Sequence, residues 1–280
     1  MALRINYNLA ASVAQRSLGA SQDHYAKQAE RLATGLRINK AGDDAAGMAV
    51  SERLKNQVRG LNQAARNAQD GISMIQTAEG AMGEAHNILA RMRELAIQSS
   101  NDTLTATDRT NLQVEFSALY SEIDRIATAT QFNGTSVLNG ASGNALSLQI
   151  GANNGNTVTL NISPSSGFQP TRLDASFTGA GASITSQSLA SATITVLDSA
   201  VNAVSTARAS LGAMQSRLES AGRSIAVASE NAAAANSRIA DADVADSMSE
   251  LVRAQILQQA GISVLAQANQ APSLVLQLLR

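Results

Sequence analysis

The longest apolar repeat of the chain lies in residues 189–239, LASATITVLDSAVNAVSTARASLGAMQSRLESAGRSIAVASENAAAANSRI. Every seventh residue from Leu197 to Ile239 is apolar, and a second apolar row lies three or four residues away from the first. A heptad pattern of this kind places one narrow apolar stripe along a helix that packs against a partner helix. About 50 helical residues extend on the order of 75 Å. The stretch therefore predicts a long rod that needs partners along its whole length.

A second stretch of the same character runs from about Ala45 to Gln98. Its apolar residues follow the same spacing, with a shift of phase at Ile75 that indicates a local bend or a change of partner. Asp43 and Asp44 precede it, and either side chain can cap the start of the helix. Two rods of equal length that are far apart in sequence predict an antiparallel pair.

Two shorter patterns occupy the middle of the chain. Thr105 and Asp108 have the spacing of a capping box, which predicts a helix from there to about Thr130. Apolar and polar residues then alternate in 146–150 and again in 158–162, on either side of a stretch rich in Gly and Asn. This change to a period of two predicts a β-hairpin.

Composition excludes several classes of function. The chain has 280 residues, a net charge near −1, no Cys, no Trp and only two His. Near-zero charge gives no electrostatic case for binding nucleic acid or an anionic membrane. The absence of Cys rules out disulfides and thiolate metal sites. No HExxH, Walker or paired-glycine nucleotide motif occurs. We therefore expect a protein that is not an enzyme, with no catalytic residue, cofactor or metal site.

The two ends of the chain are unusual. Residues 1–21 contain Arg4 and Arg16 and no continuous apolar run, so we expect no cleaved signal peptide. From 254 to 279 no residue is charged, but nine are Gln, Asn or Ser, which is not typical of a transmembrane helix. We expect both tails to become ordered helices against other copies of the chain. The apolar residues expected in this polymerisation core are Leu3, Leu9, Val13, Leu18, Leu257, Ile262, Leu265 and Leu276.

Six segments of the chain resemble bacterial flagellin, in the order of that family and at both ends of the sequence. They are ERLATGLRINKAGDDAAG at 30–47, GLNQAARNAQDGISMI at 60–75, RMRELAIQ at 91–98, QFNG at 131–134, SRIADAD at 237–243 and RAQILQQAGISVLAQAN at 253–269. The resemblance covers residues 1–140 and 188–280. It implies a subunit that polymerises through its terminal helices into the extracellular flagellar filament used for motility. It also implies type III export without a cleaved signal peptide, an export chaperone, cap and hook–filament junction proteins as partners, and recognition of the monomer by a host Toll-like receptor.

The predicted fold is mainly α: a long antiparallel helical bundle or coiled coil with paired terminal helices and a small β-hairpin region. The N-terminal helix and spoke segment occupy 1–44 and pair with the C-terminus. The core helical domain follows in 45–140, the hairpin and outer loop in 141–187, and the second long helix in 188–246. The C-terminal helix occupies 247–280.

The resemblance also marks a receptor or subunit contact. Its residues are Arg91, Arg93, Glu94, Leu95 and Gln98, supported by Glu115. Spacing alone favours a simpler interpretation, in which the charged members are solvated side chains paired along one helix. Because residues 91, 95 and 98 share a helical face about 100° from the apolar stripe, we expect them to form a second surface away from the core.

Two alternatives share some of these features. A hook–filament junction protein has similar terminal helices, although the segment 253–269 favours flagellin. A cytoplasmic signalling protein with a helical coiled coil is disfavoured by the uncharged tails and by the hairpin.

Overall fold

The computed structural model of the chain describes residues 8–139, 145–161, 169–170 and 183–278. Its long helices are α1 (Leu9–Thr34), α2 (Ala45–Ser99), α3 (Ala106–Ala129), α4 (Gln187–Ala240) and α5 (Val244–Leu278). Two short antiparallel strand pairs follow α3, namely β1 (Gln131–Phe132) with β2 (Thr135–Ser136), and β3 (Ala145–Gln149) with β4 (Thr157–Asn161). The mainly helical fold predicted from the sequence is confirmed.

The chain divides into two compact units. The first, the terminal unit, contains Met1–Gln57 and Glu230–Arg280, and the second, the central unit, contains Val58–Ser229. The long helices α2 and α4 contribute residues to both units.

In the central unit, α2 and α4 are antiparallel, as predicted. The Ser229 hydroxyl of α4 donates a hydrogen bond to the Asn62 side-chain oxygen of α2 at 3.0 Å, and Arg93 of α2 forms an ion pair with Asp198 of α4 at 2.6 Å. Later residues of α2 therefore contact earlier residues of α4, which shows that the two helices run in opposite directions. The heptad positions are the buried ones, because the stripe of each helix lies against the other helix and its neighbours. The fully buried members on α4 are Leu197, Val204, Leu211 and Leu218, and those on α2 are Ile75, Ala78, Met82, Leu89, Met92 and Ala96.

Helix α3 starts at the predicted capping box. The Thr105 hydroxyl accepts a hydrogen bond from the Asp108 amide at 3.3 Å, and the Asp108 carboxylate accepts one from the Thr105 amide at 3.0 Å. The helix then returns along α2, since Arg109 donates to the Ser99 carbonyl at 2.9 Å. Its apolar residues Phe116 and Ile123 fill the core beside α2.

The predicted hairpin is also confirmed. Strands β3 and β4 pair in register from Ala145 opposite Asn161 to Gln149 opposite Thr157, although Ile162, predicted to extend the second strand, lies outside the described residues. The hairpin packs on α2 at Gly71, where the Leu148 side chain occupies the space that a Cβ atom would need.

In the terminal unit, α1 and α5 form the predicted antiparallel pair. Asn8 caps α1 by accepting from the Ala11 amide at 3.1 Å, and its side-chain amide also donates to the Ala268 carbonyl at 2.8 Å. Further along the pair, a Cβ at Gly261 would lie 3.3 Å from the Leu18 side chain, so a small residue allows the helices to approach closely.

Within the described ranges, no helix is both long and apolar enough to cross a membrane. The same ranges contain no cluster of His, Cys, Asp or Glu arranged to hold a metal ion.

Candidate functional site

The paired terminal helices expose a large apolar surface. In α5, Val244, Met248, Val252 and Ile256 are each about half exposed, and their spacing of four residues forms one row along the helix. The buried residues described in α1 and α5 are small ones, namely Ala14, Ser247 and Ala254, so the larger apolar side chains are left exposed. Contiguous exposed apolar surface of this kind marks an interaction site rather than a solvated face.

The structure places the predicted polymerisation core in several environments. Leu18 lies against Gly261 within the pair, and Leu265 is half-buried. Leu3 and the Leu276 side chain lie outside the described residues. The other members are about half exposed and free to contact a further helix: Leu9, Val13, Leu257 and Ile262.

The apolar row of α5 was not identified as a site from the sequence. Val244, Met248 and Val252 lie in the stretch VADSMSELV at 244–252, between the last two segments that carry the resemblance. The spacing of four residues was present in the sequence and could have revealed the row.

Between α1 and α2, the loop 35–44 forms a clasp with residues 239–242. Leu36 and Asp241 form an antiparallel bridge, the Arg37 amide donates to the Ala240 carbonyl at 2.7 Å, and the Ala242 amide donates to the Gly35 carbonyl at 2.9 Å. Gly35 adopts a φ of 71°, which glycine allows without steric cost. The Arg37 guanidinium also donates to the Ile239 carbonyl at 2.7 Å, where the end of α4 needs hydrogen-bond donors.

Two adjacent aspartates have different roles in this clasp. The Asp44 carboxylate accepts from the Gly47 amide at 2.8 Å and so caps α2, which decides between the two predicted caps. The Asp43 carboxylate accepts from the amides of Asn39 and Lys40 and pairs with Lys27 at 2.7 Å. The hydrogen bond from Lys27, followed by the bond from the Lys40 amide, lowers the pKa of Asp43 to about 2.

The predicted receptor cluster is partly assembled in the central unit. Arg91 links two helices, because its guanidinium binds Glu115 of α3 at 2.9 Å and Glu94 of α2 at 3.0 Å. The hydrogen bond to Glu115, and then that to Glu94, raises the pKa of Arg91. Arg93 instead pairs with Asp198 of α4, and Gln98 is exposed.

The expectation that Leu95 lies away from the core is wrong. Its side chain is only 1% exposed and belongs to the same core cluster as Phe116. The helical-face argument assumed one stripe on α2. In this half of the helix, α3 and α4 both pack on α2, so the buried sector is wider and includes Leu95 as well as Met92 and Ala96.

An open apolar cleft of about 190 Å³ lies between α2 and the hairpin, lined by Met74, Phe132, Leu146 and Leu148 among others. Small-molecule sites are usually about 300–1,000 Å³ and carry convergent polar groups. This cleft does not indicate a ligand site.

Paired terminal helices with an uncovered apolar row define a self-associating structural protein, and comparison with known proteins identifies the family. The bacterial flagellin N-terminal helical region matches residues 5–143, and the bacterial flagellin C-terminal helical region matches residues 194–279. A flagellin of Halalkalibacterium halodurans is 49% identical over 99% of both chains. A flagellar filament 30.7 kDa core protein of Treponema maltophilum is 44% identical over 98% of this chain and 99% of its own length. The crystal structure of Bacillus cereus flagellin covers 57% of this chain and 88% of its own, at 33% identity and a TM-score of 0.50. The chain belongs to the bacterial flagellin family.

Proposed function

We propose that this chain is a structural subunit that polymerises through its terminal helices into the bacterial flagellar filament used for motility. The observation that carries the proposal is the exposed apolar row of α5 beside the exposed Leu9 and Val13 of α1. The likeness to a filament core protein over nearly the whole chain supports it. Electron microscopy of purified monomer, seeded with fragments of native filament, tests the proposal, because a subunit of this kind extends the seeds.

The hook–filament junction protein is the less favoured alternative. Flagellin regions match both ends of the chain, and a full-length flagellin shares 49% of its residues. Copy number separates the two functions. In filaments sheared from cells, a filament subunit is the dominant band on a gel, whereas a junction protein is a trace component.

The proposed location is the extracellular filament, reached through the flagellar type III apparatus without a cleaved signal peptide. The expected partners on this route are an export chaperone bound to the C-terminal segment, the filament cap and the hook–filament junction proteins. The uncharged stretch from residue 254 onward supports a chaperone, since its exposed apolar side chains, such as Ile256 and Leu257, need cover before assembly. Mass spectrometry of the secreted protein tests the export route. The proposal predicts that the secreted protein has lost no leader and still carries the N-terminal residues of the sequence.

The cluster around Arg91 is proposed as a contact for a host Toll-like receptor and for a neighbouring subunit. Arg91, Glu94 and Glu115 are exposed on adjacent helices and offer paired charges to a partner. If the filament covers this surface, only monomer activates the receptor. A receptor assay that compares purified monomer with crosslinked, monomer-free filaments tests this prediction.

The proposed function is structural rather than enzymatic. The family relatives are structural proteins, and the buried methionines of α2, together with the partly buried Met214 of α4, serve as core residues in the helical stripes. An assay of purified monomer for hydrolase activity with and without added zinc tests this part of the proposal.

A further inference from the structure

The charged side chains of the central unit are unevenly distributed along its length. Where α2 enters the central unit, at residues 58–78, and on the part of α4 that faces this segment, four exposed arginines have no ion pair among the described residues. These are Arg59, Arg66, Arg217 and Arg223, which we call the basic end. The antiparallel contacts Asn62–Ser229 and Glu79–Arg208 bracket Arg66, Arg217 and Arg223, and Arg59 lies about one helical turn before Asn62, so the four share one end of the helix pair in the central unit. Asp70 and Glu219 are the carboxylates in the same part of the unit.

The opposite part of the central unit has an excess of acid. From Glu79 onward, α2, the turn that follows it, α3 and the facing segment of α4 carry nine carboxylates against five arginines. These carboxylates form the acidic half: Glu79, Glu84, Glu94, Asp102, Asp108, Glu115, Glu122, Asp124 and Asp198. Each arginine there already contacts at least one carboxylate within 4 Å, as Arg125 does with Glu122 and Arg208 with Glu79. Negative charge therefore remains after all local pairing.

The two charged regions cannot neutralise each other within one copy. Arg66 and Glu84 are 18 residues apart on α2, which corresponds to about 27 Å of helix. The Debye length at physiological ionic strength is about 8 Å. Because their mutual attraction is screened over that distance, each region retains its own field and can attract an external counter-charge.

We infer that a contact between neighbouring copies in the filament places the basic end of one chain against the acidic half of the next. This inference rests on the proposed filament function. A second copy is the partner that fits, because the same chain carries both signs at separate positions. A head-to-tail arrangement lets every copy satisfy both regions and continues without closing. Charge complementarity of this kind sets the relative orientation and the association rate of the partners more than their affinity.

Three variants test the inference. The basic-reversed chain replaces all four arginines of the basic end with Glu. The acid-reversed chain carries Glu84→Lys, Asp102→Lys and Asp124→Lys, at exposed carboxylates with no ion pair closer than 3.9 Å. A matched control replaces the four arginines with Lys, which keeps the charge. Circular dichroism establishes that each monomer retains the helicity and Tm of the original chain.

Seeded elongation at low salt is monitored by light scattering. The control should elongate at the same rate as the original chain. Each reversed chain alone should elongate at least about tenfold more slowly, because like charges then meet at every contact. An equimolar mixture of the two reversed chains should elongate again, since an alternating order restores opposite charges at each contact. Raising the salt concentration should narrow the difference between the original chain and each reversed chain.

Several results would overturn the inference. One is normal elongation by either reversed chain alone; another is failure of the mixture to elongate while both chains remain folded. A mixture that yields closed dimers in sedimentation would show that the same charges pair in an antiparallel arrangement instead. If the unmodified chain itself does not extend native seeds, the proposed filament function is wrong, and the inference falls with it.

Discussion

At the scale of single residues, Arg91 and Leu95 have different roles although one turn of helix separates them. Leu95 is buried in the core, so Leu95→Ala should destabilise the monomer by about 2–5 kcal/mol. Arg91 is half exposed, and Arg91→Ala should destabilise the monomer much less than Leu95→Ala does, because water screens its ion pairs. Urea unfolding of the two variants, monitored by circular dichroism, measures both values. A cost of Leu95→Ala as small as that of Arg91→Ala would place Leu95 on the surface.

This difference decides how the receptor contact should be tested. A double substitution of Arg91 and Leu95 would disturb the core and confuse loss of folding with loss of recognition. Arg91→Ala alone should weaken receptor activation by monomer while helicity and Tm are retained. Unchanged activation at matched monomer concentration would remove Arg91 from the receptor contact.

Asp43 makes the stability of the clasp depend on pH. Its folded-state pKa is about 2, below the ordinary value of 3.8. A lowered pKa means that the charged form stabilises the folded state above about pH 4, and that this stabilisation is lost as the pH falls towards 2. Asp43→Asn should therefore lower the Tm at pH 7, and the difference from the original chain should shrink between about pH 4 and pH 2.

The matched control for this experiment is Asp23→Asn, an exposed carboxylate of α1 with no ion pair among the described residues. Its effect on the Tm at pH 7 should be small, because the substitution removes no ion pair among the described residues. A Tm difference for Asp43→Asn that stays constant from pH 7 to pH 2 would show that the carboxylate does not stabilise the clasp through its charge.

At the scale of elements, the position of the hairpin depends on the missing side chain of Gly71. Gly71→Ala would place a methyl group in the space of the Leu148 side chain, and the resulting overpacking should cost about 1–3 kcal/mol. Gly80 lies in the same helix with open space around its Cα, so Gly80→Ala should instead stabilise the chain by about 0.5–1 kcal/mol. Chemical unfolding of both variants measures the difference. Equal effects at the two positions would contradict the packing of the hairpin on α2.

The elements themselves were largely predictable, because their signals are local. The heptad rows predicted α2 and α4, and the pair Thr105–Asp108 predicted the start of α3. The alternation around Leu148 predicted β3 and β4. In each case, neighbouring residues determine both the pattern and the structure.

The contacts that the sequence did not reveal join residues far apart in the chain. The Arg37 guanidinium binds the end of α4 about 200 residues away, and the Ile184 amide donates to the Gln113 side chain at 2.6 Å. Neither pairing has a periodicity or a spacing that a single sequence can show. The burial of Leu95 was missed for a related reason, since its cause is the packing of two other helices on α2.

At the scale of the whole molecule, one chain has to remain folded as a monomer and also join a polymer. The central unit has its own buried core of aliphatic residues, Met residues and Phe116, and no member of this core belongs to α1 or α5. The terminal helices contribute few buried residues and leave their larger apolar side chains exposed. Because the buried core lies in the central unit and the exposed apolar side chains lie on the terminal helices, we expect that removing the C-terminal segment abolishes assembly but leaves the monomer folded.

The central claim is that the terminal helices carry polymerisation. It is tested most directly by comparing the full chain with a chain that ends before Ala254, each added to seeds of native filament and examined by electron microscopy. The full chain should extend the seeds. The truncated chain should remain a soluble helical monomer with a cooperative melting transition and should leave the seeds unextended. Filaments formed by the truncated chain would contradict the claim.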